Sequence, residues 1–350
     1  MGVSKRAENN LKLIIQIPCY NESQHLGQAV ADLPRAIAGV SSIEVLIIDD
    51  GSTDGTSDVA RQLGVHYVLR FPQNRGLANA FMRGLDACLR LGADIIVNTD
   101  ADNQYRASDI PRLIEPILLG TADLVVGDRN TDKQAHFSFT KRVLQRWGSN
   151  LVRHASSTRV ADSTSGFRAL TRSAAAHLFV HNRFTYTLET LIQAGRTGLT
   201  VQNVPVGTNP STRKSRLFRS IPDYLRRAGP VIFRAYAMYR PVQTFATLAG
   251  ILLLTGAIGI GRFLFYWIEN PHYNGHTQSL VVGVGCIILA FLVGLMALLG
   301  ELLAANRRLL EEVLCRVRLL EAAPHVAPNA GGQTNLQATG AEPWGRETHA

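Results

Sequence analysis

The 350 residues carry 36 Lys and Arg against 27 Asp and Glu, a net charge of +9, yet only 18% are charged and 46% are apolar. Charge this sparse, against about 25% in an ordinary soluble domain, points to a soluble part joined to a membrane part. The four cysteines, Cys19, Cys88, Cys286 and Cys315, form no C-x-x-C pair or Cys/His cluster, which argues against a disulfide framework or a structural zinc site.

The N-terminus has a short polar lead without the apolar region of a signal peptide, so the chain is expected to begin in the cytoplasm. Leu11 to Pro18 reads as a buried parallel strand that ends in the turn Cys19-Tyr20-Asn21-Glu22-Ser23. Asn21 or Ser23 is placed to cap a helix through about Ile37, with Leu26, Val30, Leu33 and Ile37 on one face. Ile43 to Ile48 is a second strand, running into D-D-G-S-T-D-G-T at 49–56. A helix follows to about Leu63, then a third strand over Val65 to Leu69, then a helix from Asn74 through about Leu91.

The strand that begins at Ile95 ends in Asn98-Thr99-Asp100-Ala101-Asp102-Asn103-Gln104-Tyr105. In an extended segment residues i and i+2 point the same way, so Asp100 and Asp102 are expected to face one site. Paired hard oxygens there suit a divalent cation carrying phosphate oxygens; a polar turn with no ligand is the plain alternative. Strands and helices alternating at short spacing give an α/β fold, a mostly parallel sheet with helices on both faces and ligands at the strand C-termini.

Further on, Asp123 to Gly127 is a strand leading into Asp128-Arg129-Asn130. A basic helical stretch over about 139–154, the loop Asp162 to Arg168, a helix over Tyr186 to Gly195 carrying Glu189, and a strand over Val201 to Val206 follow. From Arg213 to Arg240 eight basic residues stand against one acid, with apolar residues interleaved. Such a segment suits an anionic membrane surface, an ordinary solvated helix being the alternative.

Val242 to Gly261 and Leu280 to Gly300 hold no charged residue, and each run is near the ~20 residues that cross a bilayer. The loop from Glu269 to Gln278 lacks Lys and Arg, whereas Arg307, Arg308, Arg316 and Arg318 follow the second run. Positive-inside logic therefore places both termini in the cytoplasm. The division expected is a catalytic-type domain over 1–212, a basic juxtamembrane segment over 213–241, spans at 242–268 and 279–304, an outer loop at 269–278, a cytoplasmic helix at 305–322 and a disordered tail. Basic charge beside the spans favours lipid and phosphate partners over nucleic acid. Gly250, Gly256, Gly283 and Gly294 permit close helix packing, which leaves a homo-oligomer open.

In order, the chain presents I-P-C-Y-N-E-S at 17–23, D-D-G-S-T-D-G-T at 49–56, D-A-D-N-Q at 100–104, G-D-R-N at 127–130 and D-S-T-S-G-F-R at 162–168. This succession resembles the family 2 glycosyltransferases of GT-A fold, and within them the polyprenyl-phosphate glycosyltransferases of the dolichol-phosphate mannose synthase-like branch. The resemblance implies inverting transfer of one sugar from a UDP- or GDP-linked donor to a polyprenyl phosphate on the cytoplasmic leaflet of the inner membrane. It implies that Pro18, Tyr20, Glu22 and Asp50 line the base and ribose pocket with Asp49 in support, although 49–56 also suits a turn and helix cap. Asp100 and Asp102, with Gln104 close by, are implied to hold Mg²⁺ or Mn²⁺ against the donor diphosphate.

Asp162, Ser165 and Gly166 match the family's acceptor-side loop, and Asp162 orients the acceptor or, for a hydroxyl acceptor, serves as base. Arg129 and Arg168 are either phosphate grips or members of structural ion pairs, and Glu189 is either a buried carboxylate near the site or a solvated helix residue. Arg213, Lys214 and Arg216 resemble the basic loop that meets donor and lipid phosphates, although R-K-S-R-L departs from the usual R-x-x-G-x-S-K and Gln202-Asn203-Val204-Pro205 from the usual E-V-P. A transferase to a hydroxyl acceptor and a silent nucleotide-sugar-binding scaffold are the other readings.

Overall fold

In the computed structural model, which describes residues 10–129, 162–180, 186–209, 241–269, 277–322 and 335–336, the first apolar run lies inside an eight-stranded sheet. The chain divides into two compact units, Met1–Leu217 with Leu314–Ala350, and Phe218–Val313. The basic stretch at 139–154, the segment holding Arg213, Lys214 and Arg216, and most of the 269–278 loop lie outside the described residues.

The strands are β1 (Lys12–Cys19), β2 (Ser42–Asp49), β3 (Tyr67–Arg70), β4 (Ile95–Asn98), β5 (Leu124–Asp128), β6 (Arg168–Thr171), β7 (Val201–Pro205) and β8 (Asn335–Leu336), in the spatial order β7-β5-β6-β4-β1-β2-β3-β8. All pairings are parallel except those of β6, which runs antiparallel between β4 and β5. The helices of this unit are α1 (Leu26–Ala31), α2 (Thr56–Gln62), α3 (Leu77–Arg90), α4 (Ile110–Leu118), α5 (Arg172–His177) and α6 (Thr187–Arg196).

Alternation along the strands divides the core. Ile14, Leu46, Ile48, Ile96, Leu124 and Leu170 face the layer that contains Phe81, Leu85, Ala175 and Leu191. Leu13, Ile15, Ile17, Ile47, Val97 and Ala169 face the opposite layer with Leu26, Ala60, Ile110 and Leu113. With both faces covered, β1 is buried from Leu13 to Cys19 and its run of apolar residues is interrupted only by Gln16. Each such Leu or Ile contributes about 1.5–3 kcal/mol by leaving water.

Three expectations change. The helix after β1 is regular only to Ala31, because Pro34 removes a backbone donor and bars its predecessor from helical geometry; Leu33 and Ile37 are buried without it. Asn21 and Ser23 do not cap that helix, since His25 stands at its N-cap position and no side chain bonds there. The β6–α5 segment and α4 add elements that the periodicity did not reveal, and Asn335–Leu336 in the tail adds a strand beside β3.

The second unit contains α7 (Pro241–Glu269) and most of α8 (Thr277–Glu321), both long and apolar enough to cross a membrane by length and composition. Instead of a span and a separate cytoplasmic helix, α8 is one helix of 45 residues, about 67 Å at 1.5 Å per residue. A Cβ on Gly256 would stand 2.8 Å from Gly283 O, and one on Gly283 would stand 2.9 Å from Gly256 O. Small residues thus allow α7 and α8 to touch backbone to backbone, whereas Gly250 and Gly294 border open space.

The last turns of α8, from Leu314, belong to the first unit. Cys315 and Ala322 are buried against the core layer of α3 and α5. Arg318 Nε stands 3.2 Å from Asp86 Oδ1, and its Nη1 donates to Leu178 O at 2.6 Å. The guanidinium also lies 5.4 Å from the Phe179 ring centre. Arg318→Ala should lower stability by about 2–3 kcal/mol, since bonds to charged groups are lost at a half-buried acid. Denaturant unfolding of the detergent-solubilised protein reads this out, and an unchanged midpoint would mean that water replaces the contacts without penalty.

Candidate active site

The order of strands creates a crevice. From β1 the chain steps outward to β2 and β3, then crosses to β4 on the other side of β1, so the loops part at the β1–β4 boundary. In parallel sheets such a switch point, at the strand C-termini, is where ligands bind. The loops after β1, β2 and β4 leave the sheet at this end, as the register of Cys19 with Asp49 and of Gln16 with Asn98 requires.

The first two loops are tied together by the residues expected to cap a helix. Asn21 N donates to Ser52 Oγ at 2.9 Å, Thr53 N donates to Asn21 Oδ1 at 2.9 Å, Glu22 N donates to Thr56 Oγ1 at 3.0 Å and Ser23 N donates to Asp54 Oδ2 at 3.0 Å. Asn21 has a φ of 53° to make this turn. Tyr20 is exposed at the rim, while Pro18 and Glu22 are buried. Asp49 is buried as a support: it accepts from Ser52 N at 2.8 Å and from the Ser57 hydroxyl, with Arg70 Nε at 3.7 Å.

Asp50 accepts from Arg75 N at 2.7 Å and Gly76 N at 2.9 Å, fastening the β2 loop to the start of α3. Burial nevertheless pushes its carboxyl up, beyond what those two bonds take back. Between them, Gly51 has a φ of 72°, and a Cβ there would stand 2.5 Å from Gln73 C, so no other residue fits.

Asp54 is exposed; burial pushes its carboxyl up, but bonds from Thr56 and Ser23 outweigh this and hold it down at about 2. A carboxyl lowered on folding stabilises the fold above its unfolded pKa, and that contribution fades as pH falls from about 4 to 2. Asp54→Asn should therefore lower stability at neutral pH and close on the wild type as pH falls through this window, so that its acid limb is flatter. A mutant profile parallel to that of the wild type would contradict it.

After Asn98 the chain leaves the strand, so Asp100 and Asp102 stand in a turn and not on an extended segment; the alternation argument does not apply to them. Asn103, at a φ of 54°, completes the reversal. Asp102 Oδ1 accepts from Gln104 N at 3.2 Å, and Gln104 O accepts from Asn209 N at 2.8 Å. Asn103 Nδ2 donates to Asp32 Oδ2 at 2.8 Å, and Tyr105 bridges to Thr208. The turn is thus held between α1 and the loop after β7, with both carboxylates half-buried.

Opposite stands the 162–168 loop. Arg129 grips Asp162 in two bonds, Nε to Oδ2 at 2.6 Å and Nη2 to Oδ1 at 3.1 Å, and Nη2 reaches Thr164 Oγ1 at 3.0 Å. Burial pushes the Asp162 carboxyl up, but Arg129 and Thr164 more than reverse this and hold it below the usual range. Of the two roles open to Arg129, the structural ion pair is the one observed.

Arg168 is at 0% exposure, and burial pushes its guanidinium down to about 10. It donates to Ser165 O at 2.9 Å, Thr187 O at 2.8 Å and Ser163 O at 3.3 Å, and to the Thr190 hydroxyl. This corrects its candidacy as a phosphate grip: its donors turn inward and fasten the loop to α6. Ser165 is buried too, its Oγ accepting from Phe167 N at 3.3 Å, which makes it a loop-shaping residue. Glu189 is buried in the first turn of α6, where the helix end favours an acid.

Sequence reasoning passed over Asn98, Tyr105 and Tyr186 as site residues, yet they join the two sides. Gly166 N donates to Tyr105 Oη at 3.0 Å. Asn98 Nδ2 donates to Gly166 O at 2.8 Å and to Tyr186 Oη at 2.9 Å. A Cβ on Gly166 would stand 3.2 and 3.3 Å from the two Asp100 carboxylate oxygens, so the loop backbone comes against that acid. Only Asn98 carried a signal, a polar residue ending an apolar strand.

The Asp100 charge reaches the buried groups around it. Burial and then the Asp100 charge push Tyr105 up to about 12 and Tyr186 well above its ordinary value. Cys19 is raised by burial and then by Asp49, Glu22 and Asp100. Among the described residues no group of three or more His, Cys, Asp or Glu forms a closed metal site. Two half-buried hard carboxylates in one turn suit a cation whose other ligands are diphosphate oxygens and water. The donor chemistry and the side-chain-free approach of Gly166 to Asp100 fit Mg²⁺ or Mn²⁺.

Residues 14–179 match the family described as glycosyl transferase family 2. The chain is 30% identical over 213 residues to the UDP-N-acetylglucosamine–dolichyl-phosphate N-acetylglucosaminyltransferase of Methanococcus voltae, covering 55% of this chain and 83% of that protein. It is 32% identical over 166 residues to the undecaprenyl-phosphate mannosyltransferase of Micrococcus luteus, covering 45% of this chain and 66% of that one. Among solved structures, a complex of Mycobacterium tuberculosis glucosyl-3-phosphoglycerate synthase with Mn²⁺, UDP-glucose and phosphoglyceric acid shares the fold, with a TM-score of 0.50, 22% identity and coverage of 65% of this chain and 78% of that one.

Proposed function

Because the chain belongs to glycosyl transferase family 2, in its polyprenyl-phosphate branch, we propose that it moves one sugar from a UDP- or GDP-linked donor to a polyprenyl phosphate, with inversion, at the cytoplasmic leaflet. The observation that carries this reading is the contact between the Asp100 turn and the acceptor-side loop at Gly166, at the mouth of the β1–β4 crevice. The tied β1 and β2 loops, with Pro18, Tyr20, Glu22 and Asp50, take the nucleoside. Asp100 and Asp102 hold the cation, with Gln104 beside them. Mg²⁺ or Mn²⁺ bound there supplies Lewis-acid neutralisation of the charge that develops on the departing diphosphate.

The bond that forms joins an acceptor phosphate oxygen to the anomeric carbon, and the bond that breaks joins that carbon to the donor diphosphate, which leaves with the electron pair. A phosphate monoester, with a second pKa near ~6, needs no base at neutral pH. That matches Asp162, whose carboxylate is held ionised by Arg129 and is better suited to orienting the loop than to taking a proton. The two apolar helices anchor the chain in the bilayer with both termini cytoplasmic, and Arg213, Lys214 and Arg216 bring lipid and donor phosphates to the site.

Membranes carrying the protein, supplied with a donor panel and Mg²⁺ or Mn²⁺, distinguish the acceptors. Polyprenyl phosphate should yield lipid-linked sugar and the matching free polyprenol none; product from the polyprenol alone would overturn the phosphate acceptor.

A further inference from the structure

We infer that Asn98 and Tyr186 are positioning residues that set where the acceptor-side loop stands relative to Asp100, an inference that rests on the transferase reading above. The Gly166 peptide is held from both ends. Its N–H meets Tyr105 Oη at 3.0 Å, and its carbonyl meets Asn98 Nδ2 at 2.8 Å and Tyr186 Oη at 3.4 Å. Asn98 is itself fixed, because its Oδ1 accepts from buried Gln16 Nε2 at 2.9 Å. That bond directs the amide so that both donor contacts of Nδ2 point to Gly166 O and Tyr186 Oη. The chain of bonds therefore starts inside β1, crosses the end of β4 and ends on the loop backbone.

The residue types are specific to this task. Asn98 is at 0% exposure and ends a strand of Ile and Val, where an apolar side chain would satisfy packing alone. Aspartate there would set an acceptor against the Gly166 carbonyl, and leucine would take from Gln16 Nε2 its bond to residue 98 and leave that carbonyl with the longer Tyr186 contact alone. The Tyr186 ring stacks on Phe81 at 3.9 Å with an interplanar angle of 7°, so its place does not depend on the hydroxyl. The hydroxyl reaches the Gly166 peptide, while the ring, which Tyr186→Phe keeps, lies 5.8 Å from the Arg168 guanidinium. A Cβ on Gly166 would stand 2.8 Å from the hydroxyl and 3.2 Å from an Asp100 oxygen, so any shift of this peptide moves the loop against the acid. Misplacing a reacting partner by about 1 Å costs on the order of 100-fold in rate.

Tyr186→Phe tests the inference, because it removes one oxygen and keeps the stacked ring; Asn98→Leu is the stronger variant. Three readings are taken on the full-length protein: kcat and donor KM for transfer, binding of UDP and GDP in the presence of Mn²⁺, and amide hydrogen exchange over residues 162–168. The expected result for Tyr186→Phe is a kcat lower by roughly 10-fold, donor KM and nucleotide binding within about 2-fold of wild type, and faster exchange confined to 162–168. A purely structural role would weaken nucleotide binding together with kcat and speed exchange throughout the sheet, and that pattern overturns the inference. Unchanged exchange over 162–168 also overturns it. If the wild type makes no lipid-linked sugar, the transferase reading fails by itself, and the exchange pattern with the nucleotide titration still decides whether Tyr186 fixes the loop.

Discussion

Asp100→Ala and Asp102→Ala should each lower sugar transfer by at least ~1,000-fold, which corresponds to about 4 kcal/mol of lost transition-state stabilisation. The reason is the geometry of the turn. Both carboxylates are half-buried at the end of β4, neither fills the core, and a cation held there would oppose the charge on the leaving diphosphate. Their removal should leave thermal unfolding nearly unchanged, since the turn is fastened by other groups: Gln104 O to Asn209 N, Asn103 Nδ2 to Asp32, and Tyr105 to Gly166. Titration of Mn²⁺ with nucleotide separates the role further, because both variants should lose Mn²⁺-dependent nucleotide binding. Turnover near the wild-type rate in either variant would contradict the assignment.

Arg129→Ala should destabilise the catalytic unit by about 3–5 kcal/mol, because it strands a buried acid. The Asp162 side chain is only 2% exposed and both its oxygens are bonded to the guanidinium. The sign of the pH dependence follows. Asp162 is lowered on folding, so the pair stabilises the fold above the ordinary carboxylate range, and that share is lost as pH falls through and below it. Without Arg129 burial prevails, the carboxyl rises, and the variant should be destabilised chiefly at neutral pH, closing on wild type in acid. Asp162→Asn addresses chemistry instead: with a phosphate acceptor the folded protein should keep transfer within about 10-fold of wild type, whereas loss of a true base costs about 100- to 10,000-fold. Arg129→Ala that unfolds at the wild-type midpoint would show that water screens the pair.

Much of this was legible from residues alone. The largely apolar runs of β1, β2 and β4 announced a sheet covered on both faces, and the acidic stretches marked its C-terminal edge. The α8 helix hid behind a change of composition. Once the uncharged run ends, pairs such as Arg307–Glu311, at 2.6 Å, continue the same helix on a polar face. β6 was hidden because it is four residues long and begins with a buried arginine, a residue that reads as surface or as ligand. The Asn98–Gly166–Tyr186 connection joins residues far apart in sequence, and no local pattern encodes it. Arg168 shows the converse: motif position suggested a phosphate grip, and only the fold reveals four contacts directed inward.

The most direct test of the central claim is the nucleotide released per lipid product. The purified full-length protein is given polyprenyl phosphate, Mg²⁺ or Mn²⁺ and each of a panel of UDP- and GDP-sugars, and lipid and nucleotide are measured by mass. The result expected is a lipid gaining one sugar, with nucleoside diphosphate formed in equal amount. Release of nucleoside monophosphate with transfer of a sugar phosphate, or no lipid product from any donor, would contradict it.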